Sequence, residues 1–351
     1  MTDTTAALPS LRRLPRAALL GALAAFLGLV FLLALGIGAM PIPAREVMRV
    51  LLGFATDSQA EAIILGLRLP RATLAVLVGG GLGISGAALQ GLFRNPLADP
   101  GLIGISGGAA LGAVSIIVLG HLLIAVLPIA ADQHLLPVAA FLGGLAATFA
   151  TERLAHHRGI TATGILLLAG IAINAMAGAV MGVLIYSSDD AQLREITFWT
   201  MGSLAKGGWS GVTLSAPFVI FAVLMLMRCA APLNAMLLGE REAHNLGVSV
   251  ERLKRIVMIA AALAVGASVA VSGIIAFVGV VVPHLVRMAA GPDHRIVLPG
   301  SALLGAALLL IADCGARVIV APAEMPIGLV TSLIGSPFFL WLLLRRKGVG
   351  A

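Results

Sequence analysis

A dense block of charge interrupts an otherwise apolar chain between Leu238 and Arg255. The block holds seven of the chain's charged residues, which number 23 basic and 16 acidic in all. So much charge cannot lie in hydrocarbon, and the block must therefore be an aqueous segment. Because Gly239 and Gly247 allow breaks in the backbone, the pattern predicts two short helices on the cytoplasmic face that another protein holds. The alternative is a solvated loop without a partner.

Other kinds of chemistry are not indicated by the sequence. It contains no glycine-rich loop ending in Gly-Lys-Ser/Thr and no His-Glu-x-x-His motif, and Cys229 and Cys314 are isolated. We therefore expect no enzymatic activity, no nucleotide hydrolysis by this chain and no metal site. The uncharged runs 72–93, 100–131 and 159–188 lack the buried acids of ion-coupled carriers. An ion-coupled secondary carrier is thus the less favoured class, and ATP-driven transport would need a separate ATPase subunit.

The elements that position these residues are membrane helices. The chain is 60% apolar and 11% charged, with a mean hydropathy of +1.06, whereas soluble domains carry about 25% charge. We therefore predict an all-α polytopic membrane protein with about ten transmembrane helices. The predicted helices are 17–39, 62–90, 102–120, 136–155, 161–185, 211–230, 255–275, 276–290, 297–320 and 326–344. The sequence from Gly273 to Pro283 predicts broken helix at membrane depth.

The distribution of Lys and Arg predicts the orientation. With the N-terminus inside, cytoplasmic segments hold 16 of the 23 basic residues, as the positive-inside rule requires. Both termini, including the tail 1–16, are then cytoplasmic, and the net charge of +7 does not indicate nucleic-acid binding. Among the seven outer cations, Arg68, Arg71 and Arg317 could receive acidic groups of a docking partner. Alternatively, they reach lipid phosphate or pair with Asp313 and Glu324.

Several motifs follow one another in an order that is typical of one transporter family. They are Arg68–Arg71, Gly83–Gln90, Arg94–Gly101, Gly104–Ala109, Gly239–Gly247, Gly279–Arg287, Asp293–Arg295, Ala312–Asp313, Arg317, Glu324–Gly328 and Gly335–Phe338. Together they resemble the permease subunit of the bacterial ABC importers for iron-siderophore complexes, haem and vitamin B12. The resemblance extends from about Pro41 to Leu344.

The resemblance implies a single permease domain, residues 1–351, that works as a homodimer in the bacterial inner membrane. Its implied partners are two cytoplasmic ATP-binding subunits and a periplasmic substrate-binding protein, and the path would lie at the dimer interface. The implied ATPase-coupling residues are Gly239, Glu240, Arg241, Ala243, His244, Leu246 and Gly247. The residues implied to dock the binding protein are Arg68, Arg71 and Arg317.

Two polar turns would form a cytoplasmic gate in the family's arrangement. The implied gate residues are Asn95, Pro96, His156 and His157. Asn95-Pro96 and Asp99-Pro100 are expected to cap and begin a short helix, because Pro suits the first helical turn. We interpret the two histidines as a wetted loop end in preference to ligands.

The outer end of the fifth predicted helix indicates the transported ligand. Tyr186 is the only tyrosine of the chain, and a phenol can ligate haem iron. Arg194 could pair with a haem propionate, and Met176 and Met181 would contribute to an apolar path. Haem is therefore the favoured substrate, with a ferric siderophore second and vitamin B12 third, and we expect no bound cofactor. Tyr186 could instead be an aromatic-belt residue at the membrane surface.

Overall fold

The computed structural model describes residues 16–54, 58–126, 134–157, 160–321 and 323–347. The predicted N-terminal tail lies outside these residues except for Arg16. Within them the α-helices are α1 (Arg16–Gly36), α2 (Ala44–Leu51), α3 (Ser58–Glu61), α4 (Leu69–Leu92), α5 (Ile105–Val126), α6 (Leu135–Ala155), α7 (Thr163–Tyr186), α8 (Asp190–Thr200), α9 (Gly208–Arg228), α10 (Ala230–Met236), α11 (Glu240–Asn245), α12 (Val250–Ser272), α13 (Val278–Ala290), α14 (His294–Val318) and α15 (Ile327–Lys347). A π-helical turn (Ala62–Arg68) leads into α4, and a 3-10 helix (Pro100–Ile103) precedes α5. The strands β1 (His156–His157) and β2 (Ile160–Thr161) pair antiparallel.

All ten predicted membrane segments contain a helix, so the all-α prediction is confirmed. In the described part of the chain, seven helical segments are long and apolar enough to cross a membrane: Ala17–Gly36, Gln59–Leu92, Leu135–Ala155, Thr163–Tyr186, Gly208–Arg228, Val250–Ser272 and His294–Val318. Shorter apolar helices cover Ile105–Gly120, Val278–Ala290 and Ile327–Trp341. The number of ten crossings stays a prediction.

The predicted pair of short helices in the charged block is half wrong. The first is α11, but residues 250–255 form the beginning of the long helix α12. Val250, Leu253 and Lys254 are buried there. A buried lysine is tolerated because its charge is paired inside the protein. The block therefore includes the end of a membrane helix as well as a surface helix.

Helix α4 lies at the centre of the bundle, between α14, α12, α9 and α13. Its contacts are close because glycines meet backbone. A Cβ atom added at Gly83 would overlap the Ser301 carbonyl oxygen, and one added at Gly86 would overlap the carbonyl oxygen of Gly279. Small residues at these positions let helices pack backbone to backbone, which is how membrane helices associate in the absence of a hydrophobic drive.

The predicted break near Gly273 is confirmed. Helix α12 ends at Ser272, and Gly273 and Phe277 adopt φ values of 67° and 68° before α13 begins at Val278. The Ser203 amide donates to the Ser272 carbonyl at 2.7 Å, so this end of α12 is satisfied by protein. Positive φ is uncommon for a bulky residue, and the Phe277 side chain packs so closely on Gly335 that a Cβ there would overlap it.

Helix α8, which follows α7, is absent from the helices predicted from the sequence. Asp189 accepts a hydrogen bond from the Gln192 amide at 2.8 Å, and the Gln192 side chain accepts one from the Asp189 amide at 3.1 Å. This reciprocal cap is a recognisable signal for the beginning of a helix. The Gln192 side chain also donates to the Val118 carbonyl at 3.3 Å, which fixes α8 against α5.

Candidate functional site

Helix α11 forms an exposed ledge at the end of the bundle where α12 and α14 begin, which we call the α11 end. Its only buried side chain is Ala243, and it is bounded by Gly239 and Gly247, whose φ values are 127° and 85°. One leucine precedes the helix and another follows it: Leu238 is 65% exposed and Leu246 is 64% exposed. Exposed apolar groups among charges are typical of a surface that binds another protein.

The predicted coupling residues divide into two sets. Arg241, His244, Leu246 and Gly247 are exposed on the ledge. Glu240, Ala243 and Gly239 are turned towards the bundle, since Glu240 pairs with Lys254 and the other two are buried. The Ala243 carbonyl accepts a hydrogen bond from the Val248 amide at 3.0 Å. The first set can meet a partner directly, and the second set holds the ledge in place.

Lys254 is the centre of an ion cluster that the sequence analysis missed. Its ammonium donates to Glu240 Oε2 at 2.8 Å, to Glu251 Oε1 at 3.2 Å and to the Thr161 carbonyl at 2.8 Å. The Thr161 amide donates to Glu251 Oε2 at 2.8 Å, and the Thr163 hydroxyl donates to Glu240 Oε1 at 3.2 Å. The i, i+3 spacing of Glu251 and Lys254 was the available signal, but it does not identify partners at Thr161 or Thr163.

The hairpin of β1 and β2 contains the two gate histidines. His156 pairs with Thr161 in the register, and its Nδ1 lies 3.0 Å from the Thr161 hydroxyl oxygen. His157 occupies β1, and its side chain lies outside the part of the chain that the structure describes. A wetted loop end was predicted here, whereas the backbone forms a short antiparallel ladder. His156 therefore has a local partner within the hairpin.

The other predicted gate segment contains Asn95-Pro96 and Asp99-Pro100, and a helix begins at the second pair but not at the first. Asp99 caps the 3-10 helix by accepting from the Gly101 amide at 2.7 Å. Burial raises the pKa of the Asp99 carboxyl, and that hydrogen bond opposes the shift. Asn95 does not cap a helix: its side chain accepts from the Leu97 amide at 3.0 Å, forming a turn at Pro96. The Asn174 side chain on α7 donates to the Gly101 carbonyl at 2.8 Å, so this segment is tied to α7.

Two of the three arginines predicted to dock a partner are buried at the opposite end of the bundle. Arg68 Nη1 donates to the Leu35 and Gly36 carbonyls at 2.8 Å each, and Nη2 donates to the Met40 carbonyl. Arg317 donates to the Ala34 carbonyl at 3.2 Å and to the Ile37 carbonyl at 3.0 Å. The last carbonyls of a helix lack partners within the helix and attract cations. Arg68 and Arg317 therefore cap the C-terminal end of α1.

The third arginine, Arg71, forms ion pairs that the sequence analysis gave as the alternative. Its guanidinium lies 2.9 Å from Asp313 Oδ1 and 2.9 Å from Glu324 Oε1. Arg317 completes the cluster, with Nε 3.1 Å from Asp313 Oδ2. Asp313 is buried and Glu324 is exposed. The burial of Arg68 and Arg317 argues against direct docking by these two, and leaves Arg71 with Glu324 as the surface-facing pair.

The predicted path residues are only partly on an open surface. Tyr186 is 93% exposed at the end of α7, and Met176 and Arg194 are also exposed. Met181 is the exception, because it packs against the buried residues Val114, Val118 and Ile196. Met181 is partly buried and joins α7 to α5 and α8, and its assignment to a path stays a prediction. Within the described residues no group of three or more His, Cys, Asp or Glu side chains could hold a metal ion.

Known proteins resemble this chain over most of its length. A sequence profile described as the FecCD transport family matches residues 19–345. The hemin transport system permease protein HmuU of Yersinia pestis is 48% identical over 323 residues, which cover 91% of this chain and 94% of that protein. The cobalamin import system permease protein BtuC of Halobacterium salinarum is 42% identical over 312 residues, covering 88% and 81%. A solved metal-chelate type ABC transporter in an inward-facing conformation superimposes with a TM-score of 0.82 at 31% identity, covering 93% of this chain and 99% of that chain.

Proposed function

Because this chain belongs to the FecCD transport family and is the permease subunit of an ABC importer, we propose that the substrate it carries across the inner membrane is haem. One observation carries the proposal: the only tyrosine, Tyr186, is 93% exposed at the end of α7, and Arg194 is exposed on the next helix. A phenolate can ligate haem iron, and a guanidinium can pair with a propionate. The 48% identity to a hemin permease supports the same substrate.

Two other substrates have support from relatives. The solved metal-chelate transporter favours a ferric siderophore as the second candidate, and the cobalamin permease favours vitamin B12 as the third. The iron of a ferric siderophore and the cobalt of vitamin B12 already have their coordination positions filled by ligands of the substrate itself. Such a complex gains less than haem does from a protein phenol, so the role of the Tyr186 hydroxyl distinguishes the candidates.

Replacing Tyr186 by Phe is expected to lower the initial rate of haem uptake by at least about fivefold, since a lost iron ligand raises the barrier by about 1 kcal/mol. The ring remains in place, so an aromatic-belt role would survive the change. Uptake is measured in vesicles that contain the assembled transporter, with ATP hydrolysis recorded in parallel. Iron-free protoporphyrin is the matched control, because its uptake does not depend on iron ligation. Equal loss for haem and iron-free porphyrin would contradict the ligand role.

The path is proposed to lie between two copies of this chain. Helix α7 has only 17% of its membrane-spanning window buried within one chain, and Ile165, Leu168, Met176, Val180 and Val183 are exposed along it. A second copy placed against this face would enclose an apolar passage that opens beside Tyr186. An apolar wall suits a large flat ligand that must not be retained by strong polar contacts.

The ledge at the α11 end is proposed to bind the cytoplasmic ATPase subunits. The 351-residue sequence has no phosphate-binding loop of its own, so a partner must hydrolyse the nucleotide. The excess of Lys and Arg on this side of the chain supports an orientation with both termini in the cytoplasm. One ATPase subunit would contact each copy of the permease.

A periplasmic substrate-binding protein is proposed to dock at the opposite end, around Arg71. Arg68 and Arg317 support that surface by fixing the end of α1, and Arg71 lies beside the exposed carboxylate of Glu324. An acidic side chain of the binding protein could replace Glu324 as the partner of Arg71. This exchange would make docking sensitive to ionic strength.

Replacing Arg71 by Gln is expected to weaken binding of the substrate-binding protein about tenfold, equivalent to ~1.4 kcal/mol. The variant should also show a shallower dependence of affinity on salt, because one charge pair is gone. Affinity is measured by surface plasmon resonance with the permease in nanodiscs. Arg45→Gln is the matched control, because Arg45 is exposed and its replacement removes the same positive charge. Equal affinities for the two variants would exclude Arg71 from the docking surface.

A further inference from the structure

We propose that Lys254 is a positioning residue that couples the ATPase-facing ledge to the hairpin of β1 and β2, so that movement of the ledge moves the hairpin. Its ammonium joins three separate elements: α11 through Glu240, β2 through the Thr161 carbonyl, and α12, to which Lys254 itself belongs. The inference rests on the proposed binding of the ATPase to the ledge, and it does not depend on which substrate is carried.

Three hydrogen bonds fix the position of the Lys254 ammonium. A lysine ammonium has three donors, and all three are used, towards Glu240, Glu251 and Thr161. The side chain is 4% exposed, so little water reaches the ammonium to replace a lost partner. A buried ammonium with its donors filled holds its partners at fixed distances, because breaking any one bond leaves a buried N–H donor unsatisfied.

The hairpin is held through both backbone polar groups of one residue, Thr161. Glu251 accepts from the Thr161 amide at 2.8 Å, while Lys254 donates to the Thr161 carbonyl at 2.8 Å. The Thr161 hydroxyl oxygen in turn lies 3.0 Å from His156 Nδ1 on the other strand. Displacement of Lys254 therefore displaces both strands of the hairpin.

The ledge has few other attachments through which force could pass. Helix α11 buries only Ala243, and glycines with positive φ flank it on both sides. Glycine resists backbone rotation less than any other residue. The Glu240 carboxylate is the polar group that ties α11 to the bundle, because it accepts from Lys254 at 2.8 Å and from the Thr163 hydroxyl at 3.2 Å. Thr163 is the first residue of α7, so the same tie also reaches the helix proposed to line the path.

A gain in stability does not explain why Lys254, Glu240 and Glu251 form an ion cluster. Burying an ammonium and parts of two carboxylates costs desolvation energy that their attraction roughly returns, and apolar residues of similar size would pack as well. What the charges provide is a defined geometry between elements that are far apart in sequence. This property is needed for a mechanical link and is not needed for simple packing.

The test uses the permease with its ATPase subunits in nanodiscs, with no substrate present. A cysteine introduced by Leu154→Cys at the exposed end of α6, two residues before His156, reports on the hairpin through its rate of alkylation by a maleimide, with native Cys229 and Cys314 replaced by Ala. We expect ATP to change that rate at least about fivefold in the parent protein. We expect Lys254→Met to remove most of this change while ATP hydrolysis continues, and Lys254→Arg to restore part of it.

Two controls keep the test decisive. Arg252→Met removes a neighbouring exposed charge and is expected to leave the ATP-dependent change intact. If Lys254→Met does not assemble with the ATPase, Glu240→Gln is measured in its place, because it weakens the same tie without removing the ammonium. An ATP-dependent change of parental size in a hydrolysing Lys254 or Glu240 variant would overturn the inference. Since no substrate is added, failure of haem transport in a separate experiment would not affect this result.

Discussion

Replacing both Leu238 and Leu246 by Asp is expected to weaken binding of the ATPase subunits at least about 100-fold, equivalent to ~2.8 kcal/mol. The two side chains are 65% and 64% exposed on either side of α11. Burying a leucine at an interface contributes about 1.5–3 kcal/mol, and a carboxylate at the same place must lose its hydration. Neither residue belongs to the buried core, so the permease itself should fold as before.

The measurement is the affinity of purified ATPase for the permease in nanodiscs, together with ATP hydrolysis by the complex. Leu52→Asp is a closely matched control, because Leu52 is 63% exposed and lies at the opposite end of the bundle after α2. It should bind the ATPase normally. If the double variant binds as tightly as the Leu52 variant, the ledge is not the ATPase-binding surface.

Replacing Asp313 by Leu is expected to lower the free energy of unfolding by about 3–5 kcal/mol, because it leaves the buried guanidinium of Arg317 and the partly buried guanidinium of Arg71 without their shared carboxylate. Arg71 and Arg317 lie 2.9 Å and 3.1 Å from the Asp313 oxygens. Arg317 also caps α1, so its displacement would loosen the contact between α1 and α14. Unfolding is followed by circular dichroism during denaturant titration in detergent.

Glu324→Gln provides the control for Asp313, since it removes the other carboxylate that pairs with Arg71. Glu324 is exposed, and an exposed ion pair contributes about 0–1 kcal/mol. A second comparison removes Asp313 and Arg317 together, which should recover part of the loss because fewer buried charges remain unpaired. Equal losses for Asp313→Leu and Glu324→Gln would show that the buried cluster does not stabilise the fold as described.

Hydropathy predicts the helices of this protein well because a helix needs about 20 apolar residues to cross the bilayer. The predicted segments 136–155 and 161–185 match α6 and α7 within two residues at every end. The break after Ser272 was also predictable, since glycine and proline leave few alternatives at that position. The predicted beginning of α12 was wrong because Glu251 and Lys254 resemble solvated charges in the sequence. Their partners include Thr161, about 90 residues away.

In the candidate sites, too, contacts between residues far apart in the chain could not be predicted from the sequence. The Lys and Arg distribution singled out Arg68 and Arg317 as unusual, and both do have specific partners. Those partners are backbone carbonyls of α1, about 30 and 280 residues away, which no residue pattern can reveal. Helical spacing places Met176 and Met181 on the same helix, but only packing against α5 and α8 shows that Met181 is partly buried whereas Met176 is exposed. Exposure of Tyr186 at the end of α7 agrees with its predicted position.

The central claim is that this chain forms a passage for haem and depends on a separate ATPase for energy. The most direct measurement is accumulation of haem, a ferric siderophore and vitamin B12 in vesicles that contain the purified permease, with and without the ATPase subunits, the binding protein and ATP. We predict that haem accumulates against its gradient only when all components and ATP are present, and that the other two substrates do not. Uphill movement of haem by the permease alone, or accumulation of either other substrate in place of haem, would contradict the claim.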